Sequence, residues 1–380
     1  MKTSIVLAAA GTAGHIYPAV AVAQSLVESG FDTQDVSFVT STRAIETEIF
    51  KSLDFQRTAI SLDGVRIKRP WTIGAFLFSV MKVVLLLRRQ FRQGQTKLVV
   101  VFGGYISTVA AIAAKSLGIP IIVVETNSVM GKANSLAAAF ATKTFRSFNT
   151  TANELSTASG VPLRNSVKKL SPSLELRQHV LENLGLSVAD HGRFIVVFGG
   201  SLGALKINDA TVRLLEAESE NPELANCAFY LVTGMRDFDM FKDRLQALRD
   251  KLPGRIAFSN FDSNLVEALA VCDLVVCRAG SNTIAELSYF GVPAVLIPLP
   301  NAPKDHQTKN ALWYRSTGRA AIVEDGKCDS SHLRNAIGDE SLLRFSYDNR
   351  CSLLGESKSS SVDVGKEIAG TIIGLISPKE

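Results

Sequence analysis

The sequence predicts an α/β fold of two Rossmann-like, parallel-sheet domains facing a central cleft. Three observations predict it. Short β-branched runs bounded by Gly or Pro alternate with helix-length amphipathic stretches. Such strands are apolar throughout, as in parallel sheets covered on both faces. The series then restarts at Phe194, after a polar, charged stretch over residues 164–193 that holds Ser-Pro-Ser and Lys168-Lys169. Finally, a glycine turn follows the first strand of each half.

In the first half the candidate strands are residues 4–8, 36–40, 98–102, 120–124 and 144–148. In the second they are 194–198, 228–233, 256–259, 273–277 and 294–298. The boundaries drawn from this series are 1–164 for an N-terminal domain and 165–360 for a C-terminal one. An amphipathic stretch at 362–376 closes the chain, so 361–380 is expected to form a helix and tail packing back toward the N-terminal domain. Lys2 followed by residues 4–10 loosely imitates a signal peptide, but its apolar core is too short and its charge too slight.

Composition narrows the function. With 380 residues, 46% hydrophobic and 20% charged, the chain can bury large cores. Five scattered cysteines (227, 272, 277, 328, 351) form no Cys-x-x-Cys, which argues for a reducing cytosol rather than disulfides or structural zinc. Five histidines without a His-x-x-x-His pair speak against a dedicated metal centre. The net charge of +5 suits an anionic surface or ligand and falls far short of a nucleic-acid footprint, so no nucleic acid is expected as partner.

The chemistry sits at strand ends. After the first strand the chain reads Ala10-Gly11-Thr12-Ala13-Gly14-His15, a glycine turn, a helix start and an imidazole that titrates near neutral pH. From this segment alone an ordinary strand-to-helix turn with an incidental histidine reads equally well. The corresponding loop of the second half is Gly199-Gly-Ser201-Leu-Gly203-Ala204. Neither loop is a clean Gly-x-Gly-x-x-Gly, and no phosphate-loop Lys-Ser/Thr signature occurs, which counts against ATP hydrolysis.

The densest polar constellation runs from Cys277-Arg278 through Ser281, Asn282, Thr283, Ile284 and Ala285 to Glu286. Ser281 or Asn282 reads as the N-cap. One reading is a well-capped helix; the other is a helix N-terminus that binds a diphosphate, with Glu286 accepting from a ribose diol. Asp305-His306-Gln307-Thr308-Lys309-Asn310, Gly103-Gly104-Tyr105 and Glu125-Thr126-Asn127-Ser128 follow other strands. Taken singly, each of the last two is more often a turn than a site, while polar side chains in the first can read sugar hydroxyls. Asp237-Phe-Asp239 has the spacing of a metal-binding Asp-x-Asp, but its position after Thr233-Gly234 reads as a helix cap.

In order along the chain, residues 10–15, 103–105, 125–127, 160–164, 199–204, 277–286 and 307–310 resemble the MurG family, the UDP-N-acetylglucosamine transferases that complete lipid II in peptidoglycan synthesis. The likeness covers about residues 3–325. It implies a GT-B fold, the donor UDP-GlcNAc in the C-terminal domain and undecaprenyl-linked lipid I at the N-terminal one. It also implies inversion to a β-1,4 link, with no cofactor and no metal. By the family pattern His15 and Asn127 are catalytic, His15 as base. Thr12, Ala13, Gly14, Asn127, Arg164, Ser201, Gly203, Asp262, Ser281 to Glu286, His306 and Gln307 bind the donor. Gly11, Gly14, His15, Gly103, Gly104 and Tyr105 shape the acceptor side. Ala9, Ala10 and Ala13 replace some of the family's glycines and narrow the first loop, and Thr126 and His306 stand where the family often has Gln.

Residues 73–91 form an apolar stretch interrupted by Lys82, too short to span a bilayer. Arg66, Lys68 and Arg69 precede it, and Arg88, Arg89 and Arg92 flank its other end. A core helix with a basic end is one reading. The other is an apolar face in the headgroup region, with arginines on anionic lipid. A polyprenyl-linked acceptor implies the second, hence a peripheral location on the cytoplasmic side of the cell membrane, at the anionic inner leaflet, with cell-wall assembly proteins as further partners. The competing functions are a transferase acting on another lipid acceptor, a UDP-sugar 2-epimerase and a non-catalytic nucleotide-sugar-binding scaffold.

Overall fold

The computed structural model describes residues 4–51, 53–62, 72–148, 156–158, 160–188, 192–200, 202–220, 222, 224–350 and 363–377. The chain divides into two compact units. One is Met1–Asn165 with Val362–Glu380, the other Ser166–Ser361.

The first unit holds seven strands: β1 (Ser4–Ala9), β2 (Val36–Ser41), β3 (Gln56–Ile60), β4 (Thr96–Gly103), β5 (Ile121–Glu125), β6 (Lys143–Arg146) and β7 (Ser156–Ala158). They lie in the order β3-β2-β1-β4-β5-β6-β7, with every pairing parallel. Successive side chains on a strand point to opposite faces, and the core divides accordingly. Ile5, Leu7, Leu98, Val100, Phe102, Ile122 and Val124 pack on one face with helix Ala13–Glu28 and the final helix Val364–Ile376. Val6, Ala8, Val99, Val101, Ile121 and Val123 pack on the other with helices Thr72–Gln93 and Tyr105–Lys115. The apolar runs read from the sequence are therefore buried on both sides.

The second unit repeats the plan with six strands: β8 (Arg193–Phe198), β9 (Cys227–Val232), β10 (Ile256–Ser259), β11 (Leu274–Cys277), β12 (Ala294–Leu296) and β13 (Ala320–Ile322). Their order is β10-β9-β8-β11-β12-β13, again parallel. Sequence reading missed β3, β7 and β13, each at the sheet's edge or next to it. In β3 only Ile60 is buried, and β13 has three residues, so neither carries the fully apolar signature of a central strand.

In both sheets the strand order reverses beside the first strand, between β1 and β4 and between β8 and β11. Connections there leave the sheet toward opposite faces, so the carboxyl ends of the two strands open a crevice, the usual ligand position in such sheets. This places residues 10–15 beside 103–105, and 199–204 beside the segment that follows β11.

Candidate active site

In the first unit the loop after β1 turns into helix Ala13–Glu28, and His15 N and Ile16 N donate to the Thr12 carbonyl. The His15 ring bonds through Nδ1 to the Ala10 carbonyl at 2.9 Å. A carbonyl only accepts, so Nδ1 carries a proton, and in the neutral form of the ring the lone pair lies on Nε2. Gly103 and Gly104 close over this ring with φ of +120° and +89°. A Cβ on Gly103 would stand 2.8 Å from His15 Nε2, and one on Gly104 2.4 Å from the Ala10 oxygen. Only glycine fits there. The β1–β4 register shifts where Ala9 pairs with Gly103, and the buried Ser107 hydroxyl lies 2.6 Å from both the Ala8 and Gly103 carbonyls. His15, Gly11, Gly14, Gly103 and Gly104 are thus one constellation, with Tyr105 exposed at its rim.

Two side chains that the sequence reading passed over hold this loop. Arg43 Nη1 donates to the Gly11 carbonyl at 2.6 Å. The fully buried Glu46 accepts from Gly11 N at 2.8 Å, from Ser41 N at 2.6 Å and from the Ser41 hydroxyl. No sequence signal marked either, because the burial of Glu46 and its reach to Gly11 arise only in the fold.

Asn127 belongs to a second loop. The buried Glu125 accepts from Asn127 N at 2.9 Å and Asn127 Nδ2 at 3.2 Å, then from Gly131 N and Asn134 Nδ2. Arg164 lays its guanidinium 3.8 Å over the Tyr17 ring, two residues beyond His15 on the same helix. Asn165 N donates to Gln24, which keeps this connecting segment on that helix.

In the second unit Ser201 lies outside the described residues. The rest of its loop is built by backbone contact. A Cβ on Gly203 would meet the Thr233 oxygen at 2.3 Å, and one on Gly234 would meet Gly203 N at 2.1 Å. Asp237 is buried beneath this crossing, where it accepts from Asn208 Nδ2 and Arg236. That corrects the cap expected of the Asp-x-Asp pair. Asp237 stands at the N-cap of helix Phe238–Lys251 but makes no side-chain cap bond, because its carboxylate is committed to the glycine loop. Asp239 pairs on the surface with Lys242.

The helix after β11 departs from expectation in a related way. Its N-cap is Gly280, not Ser281 or Asn282, and no side chain caps it. The Gly280 carbonyl receives Ile284 N, while Ser281 is buried at the first helical position. Asn282, Thr283, Ala285 and Glu286 are partly exposed around it. A helix start without a side-chain cap presents its first N–H groups to an anion. Arg278 braces the preceding turn, donating to the Ile297 and Pro298 carbonyls and pairing with Asp325 at 2.7 Å. Burial pushes the Asp325 carboxyl up, but hydrogen bonds from Arg278 and Lys206 and their charges outweigh it and hold it below the usual range.

His306 and Gln307 open helix His306–Ser316. His306 Nδ1 bonds the Pro303 carbonyl, and Gln307 Oε1 receives Leu299 N. The loop before them holds Asn301, Lys304 and Asp305 at positive φ, a concentration of non-glycine strain typical of functional loops and invisible in the sequence. Asp262 accepts from Tyr230 OH on β9 and from Asn264 N in its own turn, so both its carboxylate oxygens are engaged. Burial pushes the Tyr230 hydroxyl up, which keeps it a donor.

Among the described cysteines, Cys272 is buried and its thiol is pushed up to about 12; Cys277 is likewise buried and raised. Neither is poised as a nucleophile. Within helix Thr72–Gln93, Val83, Val84, Leu87 and Phe91 enter the core, while Leu77, Phe78, Met81, Leu85 and Leu86 are exposed. The core reading thus holds for one side of this helix, and the other side is an exposed apolar face. Arg66, Lys68 and Arg69 lie outside the described residues. No described helix is long and apolar enough to cross a membrane.

Comparison with known proteins gives this geometry its class. Residues 5–146 match the glycosyltransferase family 28 N-terminal domain, and residues 194–348 match the family 28 C-terminal domain. The crystal structure of Acinetobacter baumannii MurG superposes with a TM-score of 0.69 over 98% of this chain and 100% of its own, at 24% identity. A glycosyltransferase of kitacinnamycin gives the same score at 15% identity over 98% of this chain and 99% of its own. The fold is therefore that of GT-B glycosyltransferases. A UDP-N-acetylglucosamine–N-acetylmuramyl-(pentapeptide) pyrophosphoryl-undecaprenol N-acetylglucosamine transferase from Carboxydothermus hydrogenoformans is 30% identical over 99% of this chain and 98% of its own. Its counterpart from Pediococcus pentosaceus is 31% identical over 88% and 89%. The chain belongs to this transferase family, the MurG family.

Proposed function

We propose that the chain transfers GlcNAc from UDP-GlcNAc to the 4-hydroxyl of the MurNAc sugar of undecaprenyl-linked lipid I, forming lipid II. The observation that carries this reading is likeness to the named transferases through both units, up to 99% of the chain. The residue roles rest on the geometry above. The helix start at Ser281, Asn282 and Thr283 takes the diphosphate on its N–H groups, and Glu286 takes the ribose diol. Gly203 brings its loop's backbone to the same donor, Asp262 reads the uracil through its main chain, and His306 and Gln307 meet the sugar hydroxyls. Thr12, Ala13, Gly14, Asn127 and Arg164 contribute further donor contacts, while Gly11, Gly103, Gly104 and Tyr105 shape the acceptor side.

In the reaction His15 Nε2 takes the proton of the attacking hydroxyl. The acceptor oxygen bonds to the anomeric carbon as that carbon's bond to the diphosphate oxygen breaks. The electron pair leaves with UDP, and attack from the opposite side inverts the centre. Helix N–H groups stabilise the charge that develops on the leaving group.

The exposed side of helix Thr72–Gln93 suits a lipid-linked acceptor. Phe78, Met81 and Leu85 share a helical face with Arg89 and Arg92, a pattern that sets apolar side chains among headgroups and cations on phosphates. This makes the enzyme a peripheral one at the cytoplasmic leaflet. The deciding experiment is radiolabel transfer from UDP-GlcNAc, comparing a lipid I analogue with diacylglycerol and with no acceptor. Transfer to the lipid I analogue alone is expected; transfer to diacylglycerol, or turnover without lipid, overturns the reading.

A further inference from the structure

The peptide unit joining Ala10 to Gly11 is held at both ends by side chains, one of them 35 positions away. Its carbonyl receives Nδ1–H of His15 at 2.9 Å, and its N–H donates to Oε1 of Glu46 at 2.8 Å. The carboxylate is fully buried, and Ser41 satisfies its other acceptor positions through N–H and hydroxyl. Arg43 grips the next carbonyl, that of Gly11, at 2.6 Å. A carboxylate on the N–H of a peptide polarises it and makes its carbonyl a stronger acceptor. It also forbids the peptide to flip, since the flip would leave a buried carboxylate short of a donor.

We propose that Glu46 is a positioning residue for the base: through the Ala10–Gly11 peptide it fixes the His15 tautomer and orientation and strengthens Nε2 as a proton acceptor. The proposal rests on the assignment of His15 as base. Glu46 touches no substrate in this scheme; it acts as the third member of a triad does, with one peptide interposed. Among the described residues, the other charged groups around this assembly are Arg43, from the start of helix Ala44–Phe50, Arg57, which donates to the Ser41 carbonyl at 2.7 Å and to the Thr40 and Thr47 hydroxyls, and Arg164, which stacks on Tyr17 of the histidine's own helix. The Gly103-Gly104 turn brings no titratable group.

The test is a double-mutant cycle in the full chain with UDP-GlcNAc and a lipid I analogue. Glu46→Gln is expected to lower kcat about tenfold with little change in the donor KM. It moves the acid limb of the kcat–pH profile to lower pH by about half a unit, because loss of the carboxylate charge makes His15 less basic. In a His15→Ala background the same change costs less than about twofold, since the group it acts through is gone. An unchanged kcat and pH limb, or a full tenfold loss in the His15→Ala background, overturns the proposal.

Wild-type protein supplies a second readout that does not depend on the variant folding. The ring 15N shifts of His15 report the Nδ1–H tautomer, and the Gly11 amide proton shifts with the same apparent pKa as the ring. An Nε2–H tautomer, or a Gly11 amide that ignores the titration of His15, also overturns it. If His15→Ala itself retains transfer, the base assignment fails, and these resonances still judge the link to Glu46.

Discussion

The loops after β1 and β8 occupy the same topological position in two sheets whose strand order matches around them, yet they are built differently. The first ends in an ionisable ring, locked by a peptide carbonyl and walled by Gly103 and Gly104. The second has no ionisable group at the corresponding spot and packs backbone on backbone, Gly203 against Gly234. Beside it stands a helix start without a side-chain cap and an arginine committed to Asp325. The fold supplies a crevice at each strand reversal; which side chains line it differs between the two, and on the proposed function one handles a proton and the other an anion.

Removing the imidazole is the sharpest way to break this contrast. His15→Ala should lower transfer to a lipid I analogue by roughly 10²–10⁴-fold, the usual range for a general base, while leaving donor affinity within a few-fold. Transfer within twofold of wild type would end the assignment.

Methyl groups added at matched glycines come next. In Gly103→Ala the new Cβ meets the His15 ring and should reduce kcat about 100-fold by displacing it. In Gly203→Ala the Cβ meets the Thr233 oxygen and the Asp237 carboxylate, and the expected change is a raised donor KM. Both positions carry a positive φ, so each variant should also lose about 1–3 kcal/mol in chemical denaturation. If the two variants altered the same kinetic constant, the division of labour would be wrong.

A third prediction concerns Asp325 alone. Asp325→Asn should destabilise the second unit by about 2 kcal/mol at neutral pH. The folded carboxyl titrates below its ordinary value of 3.8, so its contribution is complete above that pH. It is lost as pH falls through the lower folded value, and the denaturation curves of wild type and variant should converge there. A gap that persists in strong acid would show that the loss is steric.

The smallest effect is expected at the exposed apolar face of helix Thr72–Gln93 in the first unit. Replacing Phe78 and Met81 by Ser should weaken co-sedimentation with anionic vesicles about tenfold without changing the melting temperature. Wild-type protein that fails to sediment with such vesicles would remove the membrane reading altogether.

Legibility in the sequence followed burial. Central strands such as β1, β4, β8 and β11 announce themselves because both faces are covered, so every residue is apolar. Edge strand β3 was silent because solvent lets Gln56, Arg57 and Thr58 stand in it. Within the candidate site, glycines and His15 were legible because few residues tolerate a left-handed backbone or titrate near neutrality. The caps were misread. Ser281 and Asp237 are good capping residues in isolation, but packing buried Ser281 at the first helical position and drew Asp237 under the glycine loop. Local preference of about a kilocalorie yields to such tertiary contacts.

By itself the sequence determined the alternation of strand and helix, the repetition of the plan in two halves and the glycine turns at their strand ends. These follow from short-range rules, the period of burial and the steric freedom of glycine. Only the tertiary structure decided what those turns face. Glu46 reaches Gly11 across 35 positions, and Asp325 reaches Arg278 across the second sheet. A buried carboxylate must find donors wherever the folded chain brings them, and sequence spacing carries no record of that search.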